Sequence, residues 1–217
     1  MVLYAINGSP RKKWNDDQLL DSMICGVKAE CKDIEVRKIN LYDYTFKGCI
    51  SCFACKRIGN TTGGLCAYKD DLTPIFEKLK EADGIIFGSP IYFSSTTGQF
   101  RAFIERLCFP LYRYMPDGRV LDRTIPVAMI YTMNVQEEQK EMFKYSTIMN
   151  NNRIPLELVY GDFEDLWVCD TYQFNDYSKY DCDVFDANHK LKQKEEEFPK
   201  FLEKAFELGK RIALKNK

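Results

Sequence analysis

Val2-Leu3-Tyr4-Ala5-Ile6-Asn7-Gly8-Ser9-Pro10-Arg11-Lys12-Lys13-Trp14-Asn15-Asp16 opens the chain with an apolar run, a Gly-Ser-Pro turn and a string of polar donors. Short β-prone runs that end in turn residues read as strands. From Asp16 to about Cys31, apolar residues recur at Leu19, Leu20, Met23, Ile24 and Val27, the spacing of one helix face. Ile34 to Ile39 then alternates apolar with charged residues, as a strand with one exposed face does. Strand, turn, helix and strand in this order predict a unit of a parallel sheet.

The same alternation continues outward. Thr73-Pro74 predicts a helix start, a capping hydroxyl followed by proline, and that helix extends to about Ala82. Gly84 to Gly88 is nearly all apolar, the pattern of a strand buried on both faces. A helix follows from about Gly98 to Cys108, then a buried strand from Pro126 to Tyr131, a helix from Gln136 to Met149, and a short strand from Leu166 to Cys169. An amphipathic helix from about His189 to Leu214 closes the chain, with Phe198, Phe201, Leu202, Ala205, Phe206 and Leu208 on its apolar side. Five strands interleaved with helices predict an α/β fold, a doubly wound parallel sheet covered on both faces. Residues 1–217 read as one domain without repeat or linker, carrying a Cys-rich loop at about 47–70 and an acidic, aromatic extension at about 160–186.

Composition narrows the function. The chain has 45% hydrophobic and 29% charged residues, the profile of a globular domain. Its 31 basic and 32 acidic residues leave a net charge of −1, which gives no drive toward nucleic acid or an anionic membrane. The longest uncharged run, Gly84 to Phe100, is broken by Gly, Ser, Pro, Thr and Gln, so no membrane span is expected. Met1 to Lys13 puts apolar residues before basic ones, the reverse of a signal peptide, so a cytoplasmic location is expected. Nine cysteines cannot all pair within one chain, and thiols at short spacing in a reducing compartment point to metal or redox chemistry.

In doubly wound sheets ligands bind beyond the C-terminal ends of the strands. Three loops stand there. The first, Gly8 to Asp16, leads its donors into a helix N-terminus, where anions are favoured; it reads equally as a solvated basic turn. It lacks the later glycines of a Walker A loop or a dinucleotide fingerprint. In the second, Ser89 to Gly98, Tyr92 and Phe93 could wall a flat ring or cap the core. The third, Thr132-Met133-Asn134, is short and carries no reading by itself.

Gly8-Ser9-Pro10-Arg11 with Asn15, Gly88-Ser89-Pro90-Ile91-Tyr92-Phe93, and Cys49-x2-Cys52-x2-Cys55 ahead of Lys69-Asp70-Asp71 together resemble one family. It is the flavodoxin-like family of NAD(P)H-dependent FMN reductases and iron–sulfur flavoproteins, and the likeness reaches Asp170 to Phe174 and Asp176 to Tyr180. The resemblance implies a flavodoxin-like fold with non-covalent FMN and NAD(P)H as reductant. It implies that Ser9, Arg11 and Asn15 hold the phosphate, that Ser89 and Pro90 to Phe93 contact the ring, and that Thr132, Met133 and Asn134 lie on its other side. Many relatives have Thr where this chain has Asp16. A carboxylate repels a phosphate, so Asp16 is expected to cap the helix or to offer only its backbone N–H.

Cys49, Cys52, Cys55 and Cys66 form the other cluster. Two Cys-x2-Cys steps can present thiolates to one point, as a 4Fe–4S cluster requires. The ten residues from Lys56 to Leu65 make a longer spacer than the family's motif, which favours free thiols, an adventitious disulfide or a motif whose cluster has been lost. Zinc is disfavoured, because the single histidine, His189, stands far off and reads as an exposed helix residue. Cys25, Cys31, Cys108, Cys169 and Cys182 read as isolated, mostly buried thiols, and Asp70-Asp71 as helix capping.

The function expected is an FMN-dependent oxidoreductase that passes hydride from nicotinamide to flavin and on to a small-molecule or protein acceptor. No side chain is expected to be catalytic, since the flavin carries the chemistry. The alternative is an electron carrier, flavodoxin-like or an iron–sulfur flavoprotein, without reductase activity of its own. Tyr160 to Asp186 holds eight acidic residues, eight aromatics and one lysine, more than one core would cover. A homodimer or homotetramer is therefore expected, with Tyr172, Phe174, Tyr177 and Tyr180 at its interface or over its flavin.

Overall fold

The computed structural model describes residues 1–116 and 118–215. Its sheet is built from β1 (Val2–Asn7), β2 (Glu35–Asn40), β3 (Gly84–Tyr92), β4 (Ser95–Thr96), β5 (Ile125–Thr132) and β6 (Gly161–Val168). The order is β2-β1-β3-β5-β6, all parallel, with the two-residue β4 turned back antiparallel on β3. This is the flavodoxin-like order, and the chain reverses its direction of travel between β1 and β3. β5 is buried along its whole length, which its unbroken apolar sequence requires.

Helices cover both faces. On one, α1 (Asn15–Glu30) packs Leu19, Leu20, Met23 and Val27 against α8 (Phe198–Leu214). The two helices cross at backbone contact: a Cβ on Gly26 would lie 1.9 Å from the Phe206 carbonyl oxygen, and one on Gly209 would lie 2.0 Å from that of Met23. On the other face lie α2 (Thr73–Leu79), α3 (Gly98–Leu111), α5 (Tyr145–Ile148) and α6 (Asn150–Tyr160), while α4 (Glu137–Met142) follows β5 with no buried residue. Phe76, Phe100, Phe103 and Phe87 interlock there at ring separations of 5.5–6.4 Å.

Several expectations shift. The helix predicted over Gln136 to Met149 is broken after α4, where Lys144 takes a left-handed φ of 56°, and helix resumes through α5 and α6. Within α6, Pro155 supplies no N–H to the Asn151 carbonyl, and Arg101 Nη1 donates to that oxygen at 3.2 Å instead. The C-terminal helix begins as α7 (Ala187–Lys192) and passes through a π-turn, Gln193–Glu197, just before Pro199 removes a rung of the ladder. At α2 the Thr73 hydroxyl does not cap; it accepts from the Asp70 N–H at 3.2 Å, and Leu72 occupies the cap position.

The predicted extension is also reassigned in part. Residues 161–168 form β6, the edge strand paired along its full length with β5, so the segment outside the sheet begins at Cys169. Its aromatics cover one another within the chain. Phe174 stacks on Tyr180 at 4.0 Å, and Tyr177 is 8% exposed between Tyr172 and Phe174. Of the isolated thiols, Cys108 and Cys169 are buried as expected, Cys31 and Cys182 are half-buried, and Cys25 is exposed; all nine cysteines are unpaired.

Candidate functional site

Parallel pairing brings the ends of β1, β3 and β5 to one rim. There the Gly8 N–H donates to the Gly88 carbonyl at 2.7 Å, and Thr97, the N-cap of α3, donates its hydroxyl to the Gly8 carbonyl at 2.7 Å. Ser89, fully buried, accepts from the Thr97 N–H at 3.2 Å and so positions this junction from within. Ser9 is held by its N–H on Asn7 Oδ1 at 2.9 Å, and its own hydroxyl accepts from the Arg11 N–H at 3.3 Å.

The first loop ends at α1, whose N-cap position is Trp14 with no side-chain cap, so the positive end of that helix faces the rim. Asp16 does not cap it. Its carboxyl is 3% exposed and takes the Thr132 hydroxyl at 3.0 and 3.1 Å, which joins the first loop to the end of β5. Burial pushes this carboxyl up to about 7, against the pull of hydrogen bonds from Thr132 and Ser9. Burial opposes the charge of neighbouring Asp17 too, but Lys38 at 2.5 Å and the Lys13 N–H at 2.6 Å outweigh it and hold Asp17 below its ordinary value.

Arg11 and Asn15 both face the segment after β6. Arg11 Nη1 donates to the Gln173 carbonyl at 2.7 Å, with the guanidinium 3.8 Å above the Trp14 ring, and Asn15 Nδ2 donates to the Tyr172 carbonyl at 3.0 Å. Each keeps further polar capacity, the other N–H groups of Arg11 and the amide oxygen of Asn15. Residues 172–173 thus meet the first loop through their backbone carbonyls; the sequence singles out Tyr172 by its ring, and these carbonyl contacts carry no sequence signal. They are anchored through Asp170, in a left-handed conformation with φ 54°, whose carboxylate takes buried Lys190 and His189 Nε2, the latter at 2.6 Å. His189 therefore has a structural partner that its expected solvent position would not supply.

Tyr92 and Phe93 do not cap the core. Tyr92 is 46% exposed and Phe93 stands fully in solvent. Tyr92 pairs with Ser95 across the β3–β4 hairpin, leaving Phe93 and Ser94 as a two-residue turn with φ of 46° and 60°. That is the type I′ turn of tight hairpins, in which a bulky aromatic at positive φ is strained. Pro90 and Ile91 are half-buried along the same strand. In the third loop Met133 turns inward at 3% exposure, with its N–H on Val168 and its carbonyl on Thr171, so it leaves the ligand face. Asn134 stays at the rim, its amide donating to Gln173 Oε1 at 3.1 Å.

Of six buried side-chain polar atoms without a protein partner among the described residues, Trp14 Nε1, Thr96 Oγ1 and Asn134 Oδ1 come one from each loop, and Tyr131 Oη, Asn152 Oδ1 and Tyr160 Oη lie on β5 and α6. Buried polar groups are rarely left unpaired, so such atoms mark where a ligand or water completes the bonding. Together with the uncapped helix end and the exposed aromatic turn, the three on the loops fit a ligand that joins an anion to a flat polar ring.

The cysteines lie on the flank. Cys49, Cys52, Cys55 and Cys66 line one small cleft beneath α3, with Glu105 and Arg106. Among the described residues no three ligating side chains are placed to share a single metal ion. Burial, together with the neighbouring Cys66 and Cys52, raises the Cys55 thiol, although Lys56 acts against them. Asp70, expected as a cap, does accept from the Leu72 N–H at 3.1 Å, but its main partner is Arg106, 2% exposed on α3. Lys56 closes the loop onto the end of α3 by donating to the Phe109 and Tyr112 carbonyls. An apolar cleft of about 460 Å³ lies beside it, lined by Phe53, Ile104, Cys108, Tyr112 and Leu158, away from the strand-end rim.

A model of NADPH-dependent FMN reductases matches residues 1–149. An iron-sulfur flavoprotein of Archaeoglobus fulgidus is 41% identical over 106 residues, 49% of this chain and 48% of that protein. One of Methanocaldococcus jannaschii is 37% identical over 106 residues, 49% of this chain and 51% of its own length. The chain thus matches about half the length of these relatives. Among solved structures, an NAD(P)H:quinone oxidoreductase from Methanothermobacter marburgensis superposes with a TM-score of 0.70 at 15% identity, covering 98% of this chain and 96% of that one. An azoreductase from Bacillus anthracis gives 0.65 at 13% identity, covering 97% and 99%. These structural likenesses agree with the flavodoxin-like sheet order.

Proposed function

Because the chain belongs to the NADPH-dependent FMN reductase family, we propose that it is an FMN-dependent oxidoreductase drawing on NAD(P)H and serving a small-molecule or protein acceptor. The observation that carries this reading is the set of three unpartnered buried polar atoms, one on each strand-end loop. Bound FMN would supply the redox chemistry, taking hydride from nicotinamide and returning electrons to the acceptor. The chain's residues bind and orient. Ser9, Arg11 and the α1 N-terminus hold the phosphate, with Asn15 beside them; Tyr92 and Phe93 wall one side of the ring, and Asn134 accepts from its polar edge. No step is routed through the cysteines.

Replacing Arg11 with Ala should weaken FMN by about 1.5–3 kcal/mol, the range for a hydrogen bond to a charged group. Titrating the purified protein with FMN and following flavin fluorescence reads this directly. Wild-type protein that gains no chromophore from FMN would overturn the reading. NAD(P)H oxidation by FMN-loaded protein separates a reductase from the alternative electron carrier.

The oligomer expected is a homodimer or homotetramer. Phe53, Tyr114, Ile154 and Leu158, exposed around the apolar cleft, support that expectation, as does exposed Tyr180, while Tyr177 is buried within its own chain. Sedimentation at micromolar concentration tests it, and a monomer with FMN bound and activity intact would refute it.

A further inference from the structure

We propose that FMN binding to this chain is coupled to uptake of one proton by Asp16, whose carboxyl bridges the phosphate loop and the end of β5. The proposal rests on the reading that the strand-end loops hold FMN. Asp16 sits in the first turn of α1 at 3% exposure, with Thr132 Oγ1 at 3.0 and 3.1 Å from its two oxygens. The Ser9 hydroxyl, on the phosphate loop, is near enough to the same carboxyl to favour its ionised form. While ionised, Asp16 therefore holds the Thr132 hydroxyl proton and competes for that of Ser9, which an incoming phosphate would need. A protonated Asp16 demands one donor fewer and offers an O–H of its own.

The charges around it leave the proton as the available counter-charge. On α1 itself, Asp17 is its neighbour and is already neutralised by Lys38 of β2. From the hairpin, the Tyr92 phenol lies within its electrostatic reach. From the phosphate loop, Arg11 turns its guanidinium toward Gln173, and Lys12 pairs with Asp43. From β5 only the Thr132 hydroxyl faces it. None of the ion pairs found among the described residues includes Asp16.

A phosphate monoester carries nearly two negative charges above about pH 6. Arg11 answers part of that charge, but Asp16 has no cation paired to it; its buried carboxylate repels the phosphate, and protonation removes the repulsion. The balance is simple: free protein with ionised Asp16, FMN dianion and one proton from buffer give the complex, with one O–H bond formed. Burial already places the carboxyl at about 7 in the free protein, so uptake is expected above neutral pH. Flavin affinity then depends on pH through Asp16.

The test measures FMN dissociation constants by fluorescence from about pH 6 to 9, with proton uptake read by calorimetry at about pH 8 in two buffers of different ionisation heat. In wild type the dissociation constant should rise by up to tenfold per pH unit above about 7.5, with close to one proton taken up per FMN. Asp16→Asn and Asp16→Thr should bind FMN with little pH dependence above that point and negligible uptake. If neither variant folds, infrared difference spectra of wild type at about pH 8 should show a protonated-carboxyl band appearing with FMN. Equal pH profiles in wild type and variants, zero uptake, or no such band would overturn the proposal. Failure of wild type to bind FMN at about pH 6 would instead remove the reading on which it rests.

Discussion

Arg106 of α3 holds Asp70 of the cysteine-rich loop with both terminal nitrogens, and the arginine is 2% exposed. The same guanidinium donates to the Lys47 carbonyl at 3.1 Å, the Tyr68 carbonyl at 2.9 Å and Cys66 Sγ at 3.4 Å. One buried side chain thus fixes both ends of the loop that carries four thiols. Removing one partner of a buried pair leaves the other charged and unsatisfied, which costs about 3–5 kcal/mol. Arg106→Met should lower the urea midpoint accordingly and speed labelling of Cys66 by a thiol reagent. Unchanged stability would mean that the loop is held by its other contacts.

The crossing of α1 and α8 at Gly26 and Gly209 leaves no room for a methyl group, because in each case the nearest atom is a backbone carbonyl oxygen of the facing helix. Gly26→Ala must push the helices apart and should destabilise by about 1–3 kcal/mol or more, as overpacking does. The denaturation midpoint should fall with little change in slope. A midpoint equal to that of wild type would show that the crossing yields easily.

Asp16 should also set how stability of the flavin-free protein varies with pH. Its folded value, about 7, lies above the unfolded value of 3.8, so the folded state binds the proton more tightly. The contribution is fully present below pH 3.8 and is lost as pH rises to about 7, a span worth about 4 kcal/mol at most. Asp16→Asn should therefore be more stable than wild type by about 2–4 kcal/mol near pH 8, with the gap closing toward pH 4. A gap independent of pH would place the effect in packing instead of charge.

What the sequence disclosed follows from what each signal measures. Apolar periodicity located β1, α1, β3, α3 and β5 within a few residues, because their buried faces dictate those patterns. β6 was largely missed: Gly161 to Asp165 holds three acidic residues and a single aromatic with no alternation, and composition suggested surplus chain. The three rim loops were legible from turn residues and placement. Their partners were not, since Arg11 and Asn15 bind backbone carbonyls of residues more than 150 positions away. Asp16 was visible as an oddity, but its bond to Thr132 depends on β5 lying across the sheet. For the Arg106–Asp70 pair, one arginine on a helix face carries no mark of its burial.

The strained hairpin offers the sharpest separation of stability from binding. Phe93 and Ser94 occupy φ of 46° and 60°, where Asn and Gly are the ordinary residues, and the Phe93 ring is fully exposed. Non-glycine residues in such positions cost on the order of 1–3 kcal/mol each. A ring standing in solvent returns none of that through packing in the free protein. Phe93→Asn with Ser94→Gly should therefore raise the melting temperature of flavin-free protein, by several degrees if about 1–2 kcal/mol is recovered. The same variant removes a wall of the flavin site and should weaken FMN binding measurably. A variant that melts lower would show that Phe93 packs in solution. A more stable variant with undiminished FMN affinity would show that the ring has another purpose than covering the flavin.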